Sequence, residues 1–343
     1  MSGRLIALAI LAISSTAVDA RDFTDAGGRV VDVPDVIAVA LPAGPPAAVL
    51  LYTLAPDKLA GWVNEPSGAA AAFLTPQSVA LPTYGRLTGS GGDANMEVVL
   101  QAKPDIIIDV GTVNPTYIDL ANRVQEQTGI PYILIDGSFE KSGETYRLLG
   151  ELLGEEARAE VLATYADDTL AQLATTLAAV PADQRPSIYY GRGDEGLETG
   201  LSGSINVEIL EAAGATNVAA AAGKGGLTDV SLEQILAWNP DIIIAARGSF
   251  AEAAKTNPDW SSIAAVKSGA VYVAPSLPFG WIDSPPSANR LIGVRWLQEL
   301  FYPDAVDIDL AADTKAFYSL FYDVDLTEAQ VGKLVGGALP TAH

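Results

Sequence analysis

Short, mainly apolar runs alternate along this chain with longer stretches in which apolar residues recur every three or four positions. The runs at 36–41, 106–110, 132–135, 187–190, 242–246 and 270–273 have the length and branched side chains of strands buried on both faces. Helical periodicity marks 115–128 and 206–213 between them. Such alternation predicts an α/β fold with mainly parallel sheets.

One pattern occurs twice. Asn95-Met-Glu-Val-Val-Leu-Gln-Ala-Lys-Pro-Asp-Ile-Ile-Ile-Asp109 is echoed, 136 positions later, by Ser231-Leu-Glu-Gln-Ile-Leu-Ala-Trp-Asn-Pro-Asp-Ile-Ile-Ile-Ala245. Each copy reads as a short helix capped by Asn95 or Ser231, a Pro-Asp turn and a buried strand. The separation is too wide for a solenoid and suits two similar lobes with one copy each. Between the copies, Tyr146, Leu149, Leu153, Val161, Tyr165, Thr169, Leu173 and Leu177 keep a helical rhythm. Gly154 is expected to break it, leaving a helix from Glu156 to about Val180 that is long enough to join two lobes as a stiff rod. The domains expected are a signal peptide at 1–20, an N-terminal lobe at 21–141, connecting helices at 142–180, a C-terminal lobe at 181–301 and a helical extension at 302–343.

Composition narrows the chemistry. Asp and Glu number 42 against 20 Lys and Arg, a formal net charge of −22, so nucleic acid is not an expected partner. The chain has no cysteine, and its one histidine is the terminal His343, which removes thiolate metal sites, thiol nucleophiles and a Ser-His-Asp triad. No metal ligands or cofactor are expected. Arg4, the apolar run 5–13 and Val18-Asp19-Ala20 spell a secretory signal cleaved after Ala20, which predicts a periplasmic protein. With no cysteine no lipid anchor is expected, and no other segment reads as long and apolar enough to span a membrane.

Four stretches together carry a family resemblance: Thr24-Asp-Ala-Gly-Gly-Arg-Val-Val-Asp-Val-Pro34, the two Pro-Asp-Ile-Ile-Ile repeats, Asn206-Val-Glu-Ile-Leu-Glu-Ala-Ala-Gly-Ala-Thr-Asn-Val218 and Phe279-Gly-Trp-Ile-Asp-Ser-Pro-Pro-Ser-Ala-Asn-Arg290. In their order and spacing the chain resembles the substrate-binding proteins of ABC importers for iron complexes, haem and cobalamin. The resemblance covers nearly all of the chain beyond the signal. It implies two Rossmann-like lobes joined by one long helix, a binding role without catalysis, and an importer permease with its ATPase as partners. A monomer is expected. The resemblance also assigns Glu97 and Glu233, one per lobe, to arginines of the permease. Neither glutamate stands at the third position after its cap, where a capping box would need it.

Parallel α/β lobes bind ligands beyond the carboxyl ends of their strands. That rule brings 42–46, 62–65, 84–86, 111–117 and 136–139 of the first lobe to the cleft, with 190–199, 247–250 and 278–282 of the second. The candidate ligand contacts are Tyr84, Arg86, Tyr117, Tyr190, Arg192, Arg247, Phe250, Phe279 and Trp281. Arginine forks with aromatic faces suit a bulky anionic ligand, and a ferric siderophore matches best. Each candidate has a plainer reading. Trp62 and Tyr190 fit a core, and Arg192 or Arg247 can pair with Asp194, Glu195 or Glu198. Trp281 lies in a Pro/Gly-rich loop, where large aromatics seldom serve structure. The resemblance places Tyr84 near the iron-ligating tyrosine of haem-binding relatives, but the following 85–93 is longer and richer in glycine.

Gly191-Arg-Gly-Asp-Glu-Gly196 spells a dinucleotide fingerprint but continues as loop, where that site needs a helix. The function expected is a periplasmic receptor for a metal chelate, an iron(III) complex foremost. The alternatives are a cobalamin, other corrinoid or haem receptor, a receptor for free metal or an oxyanion, and a docking module without ligand. From another class comes a secreted glycosidase using a pair such as Asp194 and Glu198.

Overall fold

The computed structural model describes residues 20–66, 68–88 and 96–339. Residues 1–19, where the signal was expected, the expected cap Asn95 and His343 lie outside the described residues.

The first lobe is built on a three-stranded parallel sheet. Ile106–Gly111 lies between Ala40–Pro42 and Tyr132–Asp136. The central strand is buried on both faces over Ile106–Val110, as its run of three isoleucines requires, and carries one acid, Asp109. An antiparallel hairpin, Ala20–Thr24 with Val30–Pro34, adjoins it. The run at 36–41 is a strand only at its end, for the Asp105 carboxylate accepts the amides of Ala38 at 2.7 Å and Val39 at 2.8 Å. Those two groups are therefore spent on a side chain instead of a ladder.

The second lobe carries a four-stranded parallel sheet in the order Val271–Val273, Ile242–Ala245, Ser187–Gly191, Thr216–Asn217. Here Asp241 accepts the Ser187 amide at 3.0 Å. Asp105 and Asp241 occupy the same place in the repeated pattern. Each ties the loop below its strand to the start of the neighbouring strand, so the two copies are equivalent in structure as well as in sequence. A short antiparallel pair, Glu198–Gly200 with Leu227–Asp229, projects beside this sheet.

The connection between the lobes is helical. Ser142–Leu153 ends where Gly154 takes a left-handed φ of 69° and its amide returns to the Gly150 carbonyl. Glu156–Ala179 follows, 24 residues or about 36 Å at the standard rise. Arg147 ties the two helices together, pairing with Glu160 at 2.8 Å and Asp167 at 2.9 Å.

The chain ends in the helices Arg290–Phe301, Leu310–Tyr322 and Glu328–Val335. The second of these buries an aromatic cluster against the first lobe. Tyr52 donates to the Tyr322 carbonyl at 2.6 Å, and the two rings stack 6.0 Å apart. Phe317 and Phe321 stack at 4.4 Å in the same layer. One hydrophobic core thus runs from the first lobe through the C-terminal helices into the second.

Candidate functional site

A cleft of about 870 Å³ lies at the carboxyl ends of both parallel sheets, lined by residues of both lobes.

On the first-lobe side, Gly44 precedes the helix Pro45–Leu54 and lies against the loop carrying Arg86 and Thr88. A Cβ on Gly44 would fall 2.7 Å from Thr88 Cγ2, so only glycine lets that loop close so tightly. Asn114 caps the helix Pro115–Thr128, accepting the Tyr117 amide at 3.2 Å, and so sets Tyr117 at the cleft wall. Asp109, near the end of the central strand, forms part of the floor although it is only 6% exposed. Tyr132 Oη donates to its Oδ2 at 3.0 Å. Burial pushes the Asp109 carboxyl up to about 6, while hydrogen bonds from Tyr132, Thr88 and the Val110 amide pull it back.

On the second-lobe side the central group is Arg192. Its Nε lies 2.8 Å from Asp283, and its Nη1 pairs with Glu198. Asp283 is buried and saturated: Tyr190 Oη donates at 2.5 Å, Asn206 Nδ2 at 3.1 Å and Ser284 Oγ at 3.1 Å. Burial, then the negative charge of Asp283, pushes the Tyr190 phenol well above its ordinary value, so it stays a neutral donor. The network holds one guanidinium rigidly at the cleft wall.

The lobes also touch. Trp62 and Phe279 pack 6.0 Å apart across the cleft, Ser287 Oγ donates to the Pro46 carbonyl at 2.9 Å, and Glu208 accepts the Phe139 amide at 3.0 Å.

Of the nine expected contacts, Arg86, Tyr117, Arg192 and Phe279 line the cleft. The structure corrects the placement of the others. Trp281 is fully buried, with its indole N–H donating to Tyr318 Oη at 3.3 Å. Phe250 is equally buried, packed on Trp260 at 5.1 Å. Tyr190 faces inward to Asp283. For all three, core burial satisfies the ring more fully than a wet cleft can. Tyr84 lies over the Gly61 backbone, outside the lining. Arg247 forms an exposed pair with Asp194 at 3.4 Å, also outside it.

Sequence reasoning missed Asn206, Asp283, Thr88 and Asp109. The last had a signal: the repeat places an acid, Asp109, where the second copy has Ala245. The lining carries two guanidiniums, Arg86 and Arg192, and four carboxyls, Glu65, Asp109, Glu198 and Asp283. The cleft is therefore mixed in charge, not a basic funnel. Among the described residues, no group of three or more His, Cys, Asp or Glu is arranged to hold a metal.

Glu97 and Glu233 are both exposed, on the short helices Met96–Gln101 and Leu232–Trp238. Ser231 forms a capping box, but with Gln234: the Ser231 amide reaches Gln234 Oε1 at 2.9 Å. Glu233 is left out of the box. Its carboxylate sits below its ordinary value because its own amide and the Ser231 hydroxyl donate to it. No helix among the described residues is long and apolar enough to cross a membrane.

The family model described as periplasmic binding protein matches residues 58–277. The molybdate-binding protein MolA of Haemophilus influenzae is 28% identical, over 93% of this chain and 95% of its own. The Fe(3+)-citrate-binding protein YfmC of Bacillus subtilis is 25% identical, over 54% of this chain and 58% of its own. Among solved structures, an ABC transporter solute binding protein from Sulfurospirillum deleyianum superposes with a TM-score of 0.84 at 29% identity. It covers 92% of this chain and 99% of its own.

Proposed function

Because the chain belongs to the periplasmic binding protein family, whose members collect solutes outside the cytoplasm for ABC importers, we propose that it is the receptor for a metal chelate, a ferric siderophore foremost. The chain is a solute-binding protein and not an enzyme, which removes the glycosidase reading. Its partners are an importer permease and ATPase, and its place is extracytoplasmic. We place it in a periplasm, as a monomer, after loss of the first twenty residues.

The cleft itself carries the ligand class. At about 870 Å³ it has the capacity of sites that enclose whole organic ligands, many times the volume of a four-oxygen anion. Trp62, Tyr117 and Phe279 supply apolar and aromatic surface. Arg86 and Arg192 offer donors to chelate oxygens, and Glu65 and Glu198 offer acceptors to its hydroxyl or amide groups. A mixed lining of this kind suits a large ligand with both kinds of group. Tyr84, outside the lining, lends no support to haem ligation.

One observation favours a second reading. One relative that matches nearly the whole chain is a molybdate-binding protein, so a tetrahedral oxyanion is the alternative ligand. Tryptophan fluorescence of the mature protein, titrated with ferric siderophores, ferric citrate, haemin, cobalamin and molybdate, separates them. Saturable quenching by a ferric chelate supports the proposal. Saturation by molybdate with no chelate bound moves the assignment to the oxyanion.

A further inference from the structure

Asp109 is a buried acid on a binding surface, and among the described residues no guanidinium or ammonium pairs with it. We propose that Asp109 binds ligand in its protonated form, donating a hydrogen bond to an acceptor atom of the guest, so that loading the cleft takes up one proton from solvent. The proposal rests on the reading of this cleft as the ligand site.

Three observations support it. The first is geometric. Asp109 lines the cleft beside Gly44 and Thr88, with Tyr132 Oη donating to Oδ2 at 3.0 Å and the Thr88 side chain also bonded to the carboxyl. The carboxyl is thus a buried group on the binding surface, held by neutral partners. The second is that the fold does not need an acid here. The equivalent position of the repeat is Ala245, fully buried at the end of an equivalent strand. The third is electrostatic. A buried carboxylate without a cation is costly, and the cost grows when a ligand displaces the remaining water. An acceptor-rich ligand would also repel it. The neutral acid avoids both penalties and adds a donor.

The groups around Asp109 leave this assignment intact. Tyr132, on the adjacent strand, is raised by burial and by Asp109 itself and stays neutral. Arg29 approaches from the N-terminal hairpin and is committed to Asp25, at 2.9 Å, and to the Tyr132 carbonyl. Tyr117 comes from the helix Pro115–Thr128, and Ala40–Pro42 presents no titratable side chain. Arg86 and Glu65 stand on the first-lobe wall, and Arg192, Glu198 and Asp283 face from the second lobe. Without ligand the carboxyl is raised to about 6, so it is half-protonated just below neutral pH. Closure over a guest raises it further.

The test titrates ferric citrate and molybdate into the wild type and Asp109→Asn, by calorimetry, from about pH 5 to about pH 8 in buffers of different ionisation enthalpy. The wild type should take up close to one proton per ligand near neutral pH. Its affinity should fall by up to about tenfold per pH unit above the midpoint. Asp109→Asn donates at every pH, so it should take up none and show a flat profile. Equal pH dependence in both proteins overturns the inference alone. Binding of neither anion, nor of any other member of the ligand panel, at any pH counts against the cleft reading and the inference together. Should the variant fold poorly, infrared titration of the wild type decides: a protonated-carboxyl band lost near pH 6 supports the assignment. A wild type whose carboxyl bands are all lost in the ordinary Asp range overturns it.

Discussion

Arg290 Nη2 donates to the carbonyl oxygen of Gly137 at 2.6 Å, so a side chain on the second lobe's last long helix reaches into the first lobe beneath the cleft. The guanidinium is 3% exposed. Its Nη1 meets Glu208 at 2.8 Å, and Phe139 lies 5.5 Å away with its ring toward the cation. Glu208 in turn accepts the Phe139 amide. Second-lobe charge and first-lobe backbone thus close one circuit at the base of the cleft. With the long helix Glu156–Ala179 behind it, this pin argues against wide opening.

Arg290→Ala strands the Glu208 carboxylate and the Gly137 carbonyl together. Loss of one partner of a buried pair costs about 3–5 kcal/mol. Urea unfolding should show a fall of that order, and Glu208→Gln in the same background should recover part of it. A loss within the range of an exposed pair would contradict the pin.

Asp109 has a second consequence, for stability. Its folded value, about 6, lies above the ordinary 3.8, so the folded state holds the proton more tightly. The sign follows: stability falls as pH rises between those values. Asp109→Asn should therefore be more stable than wild type at pH 7, by at most about 3 kcal/mol, and should gain nothing near pH 4. Denaturant midpoints at the two pH values measure it. An equal loss at both would contradict the buried, unpaired acid.

Arg192 and Arg247 should separate. Arg192 is fixed at the cleft by Asp283, whereas Arg247 is 64% exposed and pairs with Asp194 outside the lining. Arg192→Ala should weaken a chelate by more than about 1 kcal/mol, as expected for a charge-assisted bond. Arg247→Ala should leave affinity within about 0.5 kcal/mol of wild type. Equal losses would put the ligand nearer the Arg247 loop.

Glu97 and Glu233 face solvent, one in each lobe's copy of the repeat. Reversing both to Lys should abolish uptake in cells while leaving solution affinity nearly unchanged, since neither lines the cleft. Undiminished uptake would remove them from the permease contact.

The scaffold was legible because its signals are redundant. Apolar runs at 106–110 and 242–246 have no alternative to burial, and Gly154 marks a helix end by conformation alone. The spine is found over Glu156–Ala179, within a residue of its expected end. The site was less legible because a loop aromatic looks the same in sequence whether it faces ligand or core. Trp281 and Phe250 turned inward, where Tyr318 and Trp260 complete their contacts. Arginines raise the same ambiguity: Arg192 needed the distant Asp283 to hold it, a pairing across 91 positions that no local pattern reveals. Asp109 was readable in principle, as the one polar mismatch at the end of two matching strands.

Hydrogen exchange with and without the tightest-binding member of the ligand panel tests the two-walled cleft most directly. Amides around Thr88 and Gly111–Thr112 in the first lobe, and around Asn206 and Gly226 in the second, should slow together on binding. Protection confined to one lobe, or found only away from these segments, would contradict a guest held between the two.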